Sequence, residues 1–219
     1  MAGRYPGYNF QYTIGPPPAR TRRISTSPTE LTHLCIAYAV LTLDFVLLFR
    51  YVTVVPLLTL VAVAAVAALT GFVCHEMAHK ISAQRRGYWA EFRLSPIGLI
   101  LSVITALFGF LFAAPGATMI GGMAGGREWG LTSLAGPATN FGFALAFLAG
   151  SLLAATTSVS AVFAFPLLFL AYINAWFAAF NMIPLGPLDG AKVFRWSKGV
   201  WLATFAVFAV LAGVLFFIV

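Results

Sequence analysis

The chain has 219 residues, of which 61% are hydrophobic and only 9% charged, whereas a soluble domain is roughly half apolar and a quarter charged. A water-soluble globule is excluded. The net charge of +7 raises nucleic acid as a partner, but the basic residues are scattered between apolar runs with no soluble domain to carry a basic face, so no nucleic acid is expected and membrane topology accounts for the charge.

In chain order, residues 1–27 read as a disordered cytoplasmic tail. The segment is polar, contains Pro16-Pro17-Pro18 and four arginines, and lacks the apolar stretch of a cleavable signal. Residues 28–219 form the transmembrane core. Ser27-Pro28-Thr29-Glu30 supplies an N-cap, a proline at the first helical position and a capping-box glutamate, so the first helix starts near Pro28. Five apolar runs approach the roughly 20 residues needed to cross a bilayer: Leu31 to Phe49, Val52 to His79, Leu131 to Ala155, Val162 to Phe180 and Val200 to Val219. A sixth run, Ile97 to Ala114, is punctuated by Pro96, Gly98, Gly109, Pro115 and Gly116, as expected of a hairpin rather than one straight helix.

The basic residues orient these spans. Arg4, Arg20, Arg22 and Arg23 precede the first, Lys80, Arg85, Arg86, Arg93 and Arg127 follow the second, and Lys192, Arg195 and Lys198 precede the last. All twelve fall on the cytoplasmic side, leaving Arg50 for the other face, provided that the sixth run does not cross. One extra crossing would export Lys192, Arg195 and Lys198. The expected fold is therefore an all-α polytopic membrane protein with about five full spans and, at residues 96–126, a re-entrant or membrane-associated β-hairpin region between the second and third. Irregular backbone survives at that depth only when protein covers it or when it lines a watery cavity.

His75-Glu76-Met77-Ala78-His79 is an H-E-x-x-H at the end of the second span. Residues four apart share a helical face at about 5–6 Å, so both imidazoles can hold one metal ion with Glu76 beside it. Three of the chain's nine His and acidic residues fall in these five positions, and ionisable groups are costly inside a bilayer. A catalytic zinc normally has three protein ligands. The remaining acids and His33 sit at span mouths or in charged loops, Asp44 sits in the outer half of the first span, and Asp189 lies in Asn181-Met182-Ile183-Pro184-Leu185-Gly186-Pro187-Leu188-Asp189-Gly190. Pro184 and Pro187 break the fourth span, presenting Asp189 where the chain returns to the cytoplasmic side. By pattern alone Asp189 serves equally as a turn residue; topology decides for a ligand.

These residues resemble the site-2 protease family of intramembrane zinc metalloproteases. The likeness rests on His75 to His79, on N-x-x-P-x-x-P-x-D-G from Asn181 to Gly190, and on Ala135-Gly136-Pro137-Ala138-Thr139-Asn140 opening the third span, and it covers Val54 to Lys198. It implies that His75, His79 and Asp189 bind one zinc ion, that Glu76 is the general base, and that Asn181 contacts the scissile backbone or the oxyanion. It implies further that the Glu91 to Gly122 region corresponds to membrane-associated strands that hold substrate, a transmembrane segment of another protein. The chain departs from many members in lacking room for a PDZ domain. A prokaryotic cell membrane, with the N-terminus and the opening of the site cytoplasmic, is the expected location. A membrane zinc hydrolase of another kind, such as a prenyl-protein protease, would use the same H-E-x-x-H but has no reason to carry the Asn181–Gly190 pattern, and a non-enzymatic metal transporter or scaffold needs more than one set of intramembrane ligands or a visible repeat.

From the residues alone, Asn140, Asn174 and Asn181 can each bond a neighbouring helix, and Ala135-Gly136-Pro137 permits close helix packing.

Overall fold

A computed structural model describes residues 24–50, 56–112, 114–122, 125–156 and 161–219. The expected tail lies outside the described residues as far as 23. Ser25 and Thr26 are fastened down: Ser25 exchanges two hydrogen bonds with Gln84, and Thr26 accepts one from Lys80.

Among the described residues, five helices are long and apolar enough to cross a membrane: Pro28–Phe49, Leu57–Arg85, Gly126–Ala154, Ala164–Asn181 and Lys198–Phe216. The first is α1, capped as expected by Ser27, whose hydroxyl accepts from the Glu30 amide, with Pro28 at the first position. The second is continuous but not uniform. It comprises α2 (Leu57–Ala68), a π-helical turn over Leu69–Val73, and α3 (Cys74–Arg85). The remaining spans are α5 (Gly126–Ala154), α6 (Ala164–Asn181) and α8 (Lys198–Phe216), with short α7 (Asp189–Trp196) between the last two. Large apolar side chains cover the outside, among them Leu58, Leu152, Val210 and Phe216, as lipid contact requires. The inside is built from small ones. Ala144, Ala171, Ala175, Ala178 and Ala212 bring α5, α6 and α8 together, while Phe45, Phe49, Phe72 and Phe92 fill the space among α1, the second span and the sheet.

Between the second and third spans lie β1 (Trp89–Leu94), α4 (Pro96–Leu107) and β2 (Gly116–Gly121). The strands pair antiparallel from Trp89 with Gly121 to Leu94 with Gly116. The expected strand region is present, with two differences: β1 precedes residue 96, and a helix occupies the connection. The twelve residues of α4 rise about 18 Å, short of a core about 30 Å thick. Because Leu94 and Gly116 are register partners, the chain leaves and returns at one place, so this segment makes no net crossing. Side chains cap the outer edge of β1: Gln84 Nε2 donates to Ala90 O, Glu30 Oε1 accepts from Phe92 N, and His33 Nδ1 accepts from Leu94 N. The outer edge of β2 is occupied only at its middle, where the Thr118 amide donates to Glu76 Oε2, so this is the less covered edge of the sheet among the described residues.

Candidate metal centre

His75 and His79 lie one turn apart in α3, and both are buried. Their Nε2 atoms are 3.0 Å apart. Asp189 Oδ2 completes a triangle at 3.3 Å from His75 Nε2 and 2.9 Å from His79 Nε2. Among the described residues, this is the group of His, Cys and acidic side chains whose ligand atoms converge closely enough to hold a metal ion. Glu30 pairs with Lys80, Glu91 with Arg93, and Glu128 with the Tyr88 hydroxyl. None of these joins the centre. Asp44, remote in sequence from the motif, is fully buried in α1.

The imidazoles are oriented from behind. His75 Nδ1 is 2.5 Å from Asn140 Oδ1, and His79 Nδ1 is 2.8 Å from the Thr132 carbonyl oxygen. Both partners only accept, so each Nδ1 carries a proton, and in the neutral ring each Nε2 presents a lone pair. With both imidazoles neutral, two lone pairs and a carboxylate oxygen face one another, an arrangement that a cation, whether a proton or a metal ion, relieves. Donors about 2.0–2.1 Å from a tetrahedral zinc lie about 3.3 Å from each other; the three separations here, 2.9 to 3.3 Å, fit that edge length. Two imidazoles with one carboxylate are a zinc donor set.

Each element has a local reason to deliver its ligand. In the π-helical turn the regular i−4 ladder is broken, and Asn140 Nδ2 reaches the Thr70 and Gly71 carbonyl oxygens at 3.2 and 3.1 Å. The same amide nitrogen is 3.3 Å from Asn174 Oδ1, and Asn174 Nδ2 bonds Thr70 Oγ1. Gly136 makes the room: a Cβ there would lie 2.4 Å from His79 Nε2 and 2.7 Å from His75 Nε2. As Pro184 and Pro187 lead one to expect, α6 stops at Asn181 and a turn follows, but Asp189 then opens a further helix, α7. Gly190 lets this helix approach the turn, since a Cβ at that position would be 2.1 Å from Met182 O. Trp201 Nε1 donates to the same carbonyl oxygen.

Glu76 accepts from the Thr118 amide and hydroxyl, both at 2.8 Å from Oε2. Asn181 is half-buried and donates through Nδ2 to Phe177 O at 3.0 Å, one turn back in its own helix. On the sequence alone Gly136 and Asn140 read as helix-packing residues, and Thr118 has no role. H-E-x-x-H signals that imidazoles need backing, but which residues back them depends on how α5 crosses α3.

Helices able to span a bilayer, joined to a buried zinc-type donor set of the two H-E-x-x-H histidines and Asp189, define a membrane metallohydrolase. The chain is 36% identical over 180 residues to the protein named Putative zinc metalloprotease MJ0611 from Methanocaldococcus jannaschii, an overlap of 80% of this chain and 88% of that protein. It is 31% identical over 132 residues to Putative zinc metalloprotease Rip3 from Mycobacterium tuberculosis, 60% of this chain but only 30% of that protein. No family model and no solved structure matches it. The chain belongs to the site-2 protease family of zinc metalloproteases.

Proposed function

We propose that the protein hydrolyses peptide bonds within or beside transmembrane segments of other membrane proteins, with one zinc ion held by His75, His79 and Asp189. The observation that carries this reading is the burial of all three ligands inside a bundle whose outer surface suits lipid. A site enclosed by membrane helices takes its substrate from the membrane. The archaeal and bacterial relatives support a prokaryotic cell membrane, and the distribution of basic residues favours a cytoplasmic N-terminus and a cytoplasmic opening of the site.

Zinc bound at these residues supplies Lewis acidity, acidifying a water molecule and polarising the scissile carbonyl. Glu76 accepts the proton of the attacking water and returns it to the leaving amine. Asn181 spends one amide N–H on its own helix, while its second N–H and its Oδ1 make no other hydrogen bond among the described residues; this free end binds the substrate carbonyl or the developing oxyanion. A helical substrate hides its backbone, so the segment unwinds before cleavage, and an extended stretch pairs with the outer edge of β2 beyond Thr118, whose own N–H is held by Glu76.

Zinc content and turnover of two variants test the assignment together. Asp189→Ala loses most of its zinc, whereas Glu76→Gln keeps zinc and loses cleavage of a transmembrane test substrate. Zinc retention in Asp189→Ala would remove that ligand. Efficient cleavage of soluble peptides, with transmembrane substrates left intact, would overturn the intramembrane reading.

A further inference from the structure

Glu76 is tied to the sheet at one residue. Thr118 stands in the middle of β2 opposite Phe92, and the Phe92 amide points away from β2 to Glu30. The two residues therefore form a non-hydrogen-bonded pair, whose N–H groups face outward on both strands. On β2 that outward N–H meets Glu76 Oε2 at 2.8 Å. The Thr118 hydroxyl lies 2.8 Å from the same oxygen and 3.1 Å from the Glu76 backbone carbonyl oxygen. Oε1 makes no hydrogen bond among the described residues.

We propose that Thr118 is a positioning residue that clamps Oε2 of Glu76 and leaves Oε1 as the proton acceptor. The inference rests on the general-base reading of Glu76. Two donors on one carboxylate oxygen restrict both the rotamer and the plane of the group, so the other oxygen is held in place before substrate arrives. The clamp also links β2 to α3: a displacement of the strand moves the base as well. An ordinary structural tie between a strand and a helix would make the same contacts, but its loss would lower stability without selectively slowing turnover.

The test uses the full-length, zinc-loaded protein in detergent. Thr118→Val keeps the shape and strand preference of the side chain but removes the hydroxyl, and it lowers kcat by roughly tenfold or more, because small misplacements of a reacting group are costly. Zinc content stays at the wild-type level and KM changes by no more than about twofold, as expected when substrate binding is untouched and only transition-state stabilisation is reduced. Thr118→Ser restores most of kcat. A second readout needs no turnover: hydrogen exchange at the Thr118 amide accelerates in Glu76→Ala. Wild-type kcat in Thr118→Val, equal impairment in Thr118→Ser, or exchange indifferent to Glu76→Ala overturns the clamp. Glu76→Gln, measured alongside, separates the two ideas. If it turns over normally, the general-base reading falls; if it is inactive while Thr118→Val is fully active, only the clamp falls.

Discussion

Asn140 decides which nitrogen of His75 faces the centre. Its Oδ1 can only accept, so the proton stays on Nδ1, while its Nδ2 is engaged by the carbonyl oxygens of the π-helical turn. Asn140→Ala removes both restraints and weakens zinc binding by about 10–100-fold, the usual cost of losing a residue that orients a metal-bound histidine; competition with a calibrated chelator measures it. Gly136→Ala acts differently. Its methyl group collides with both imidazoles, so zinc is lost while helix content, read by circular dichroism, is retained. Glu76→Gln lowers kcat by about 10²–10⁴-fold, the range for a lost proton acceptor, in zinc-loaded protein. At this scale the convergence of side chains was legible: His75 and His79 share a face by helix periodicity, and Asp189 joins them as topology, rather than the proline-rich pattern alone, led one to expect. Asn140 was legible as a polar group that must bond a neighbouring helix, which it does. Its bond to His75 was not, because that depends on the rotation of α5 against α3, and no local pattern encodes it.

Among the elements, the N-terminus of α1 is the least expected part of the site's frame. The capping box is half realised. Ser27 accepts from the Glu30 amide, but the Glu30 carboxylate turns away to bond the Lys80 ammonium and the Phe92 amide. Both members of the ion pair are buried, Glu30 at 0% and Lys80 at 1% exposure, and Lys80 directly follows a proposed zinc ligand. The pair pins α1 to α3 and β1. Lys80→Met leaves a buried carboxylate without its counter-ion and lowers stability by about 3–5 kcal/mol. Adding Glu30→Gln removes the stranded charge while keeping an acceptor for the Phe92 amide, so the double variant is more stable than Lys80→Met alone. Thermal unfolding in detergent reads the order, and a double variant less stable than the single one contradicts it. A buried partner 50 residues away cannot be read from a local capping motif, which is why Glu30 reads in the sequence as a helix-end residue. The same limit hid α7, which is short and takes its place from neighbours rather than from periodicity, whereas β1 was anticipated from Glu91 onward only through the family resemblance. The five spans were legible because length and hydropathy suffice to define them.

Across the whole molecule, topology and metal binding are one question. The Leu94–Gly116 pairing closes the β1-α4-β2 excursion on itself, and Asp189 lies within 3.3 Å of both histidines. A sixth crossing would instead put them about 30 Å apart on opposite faces. With Cys35 and Cys74 replaced, single cysteines introduced at Gly125 and Ser197 are labelled by an impermeant thiol reagent from the cytoplasmic face, and one at Thr157 from the other face. Labelling of the Gly125 position from the outer face alone contradicts the arrangement. The most direct measurement of the central claim, that His75, His79 and Asp189 form one hydrolytic zinc site fed from the membrane, is a metal titration of purified protein against cleavage of a transmembrane test substrate. The account predicts about one zinc per chain, loss of cleavage when a chelator removes it, and recovery in proportion to the zinc restored. Cleavage that persists in metal-free protein contradicts it.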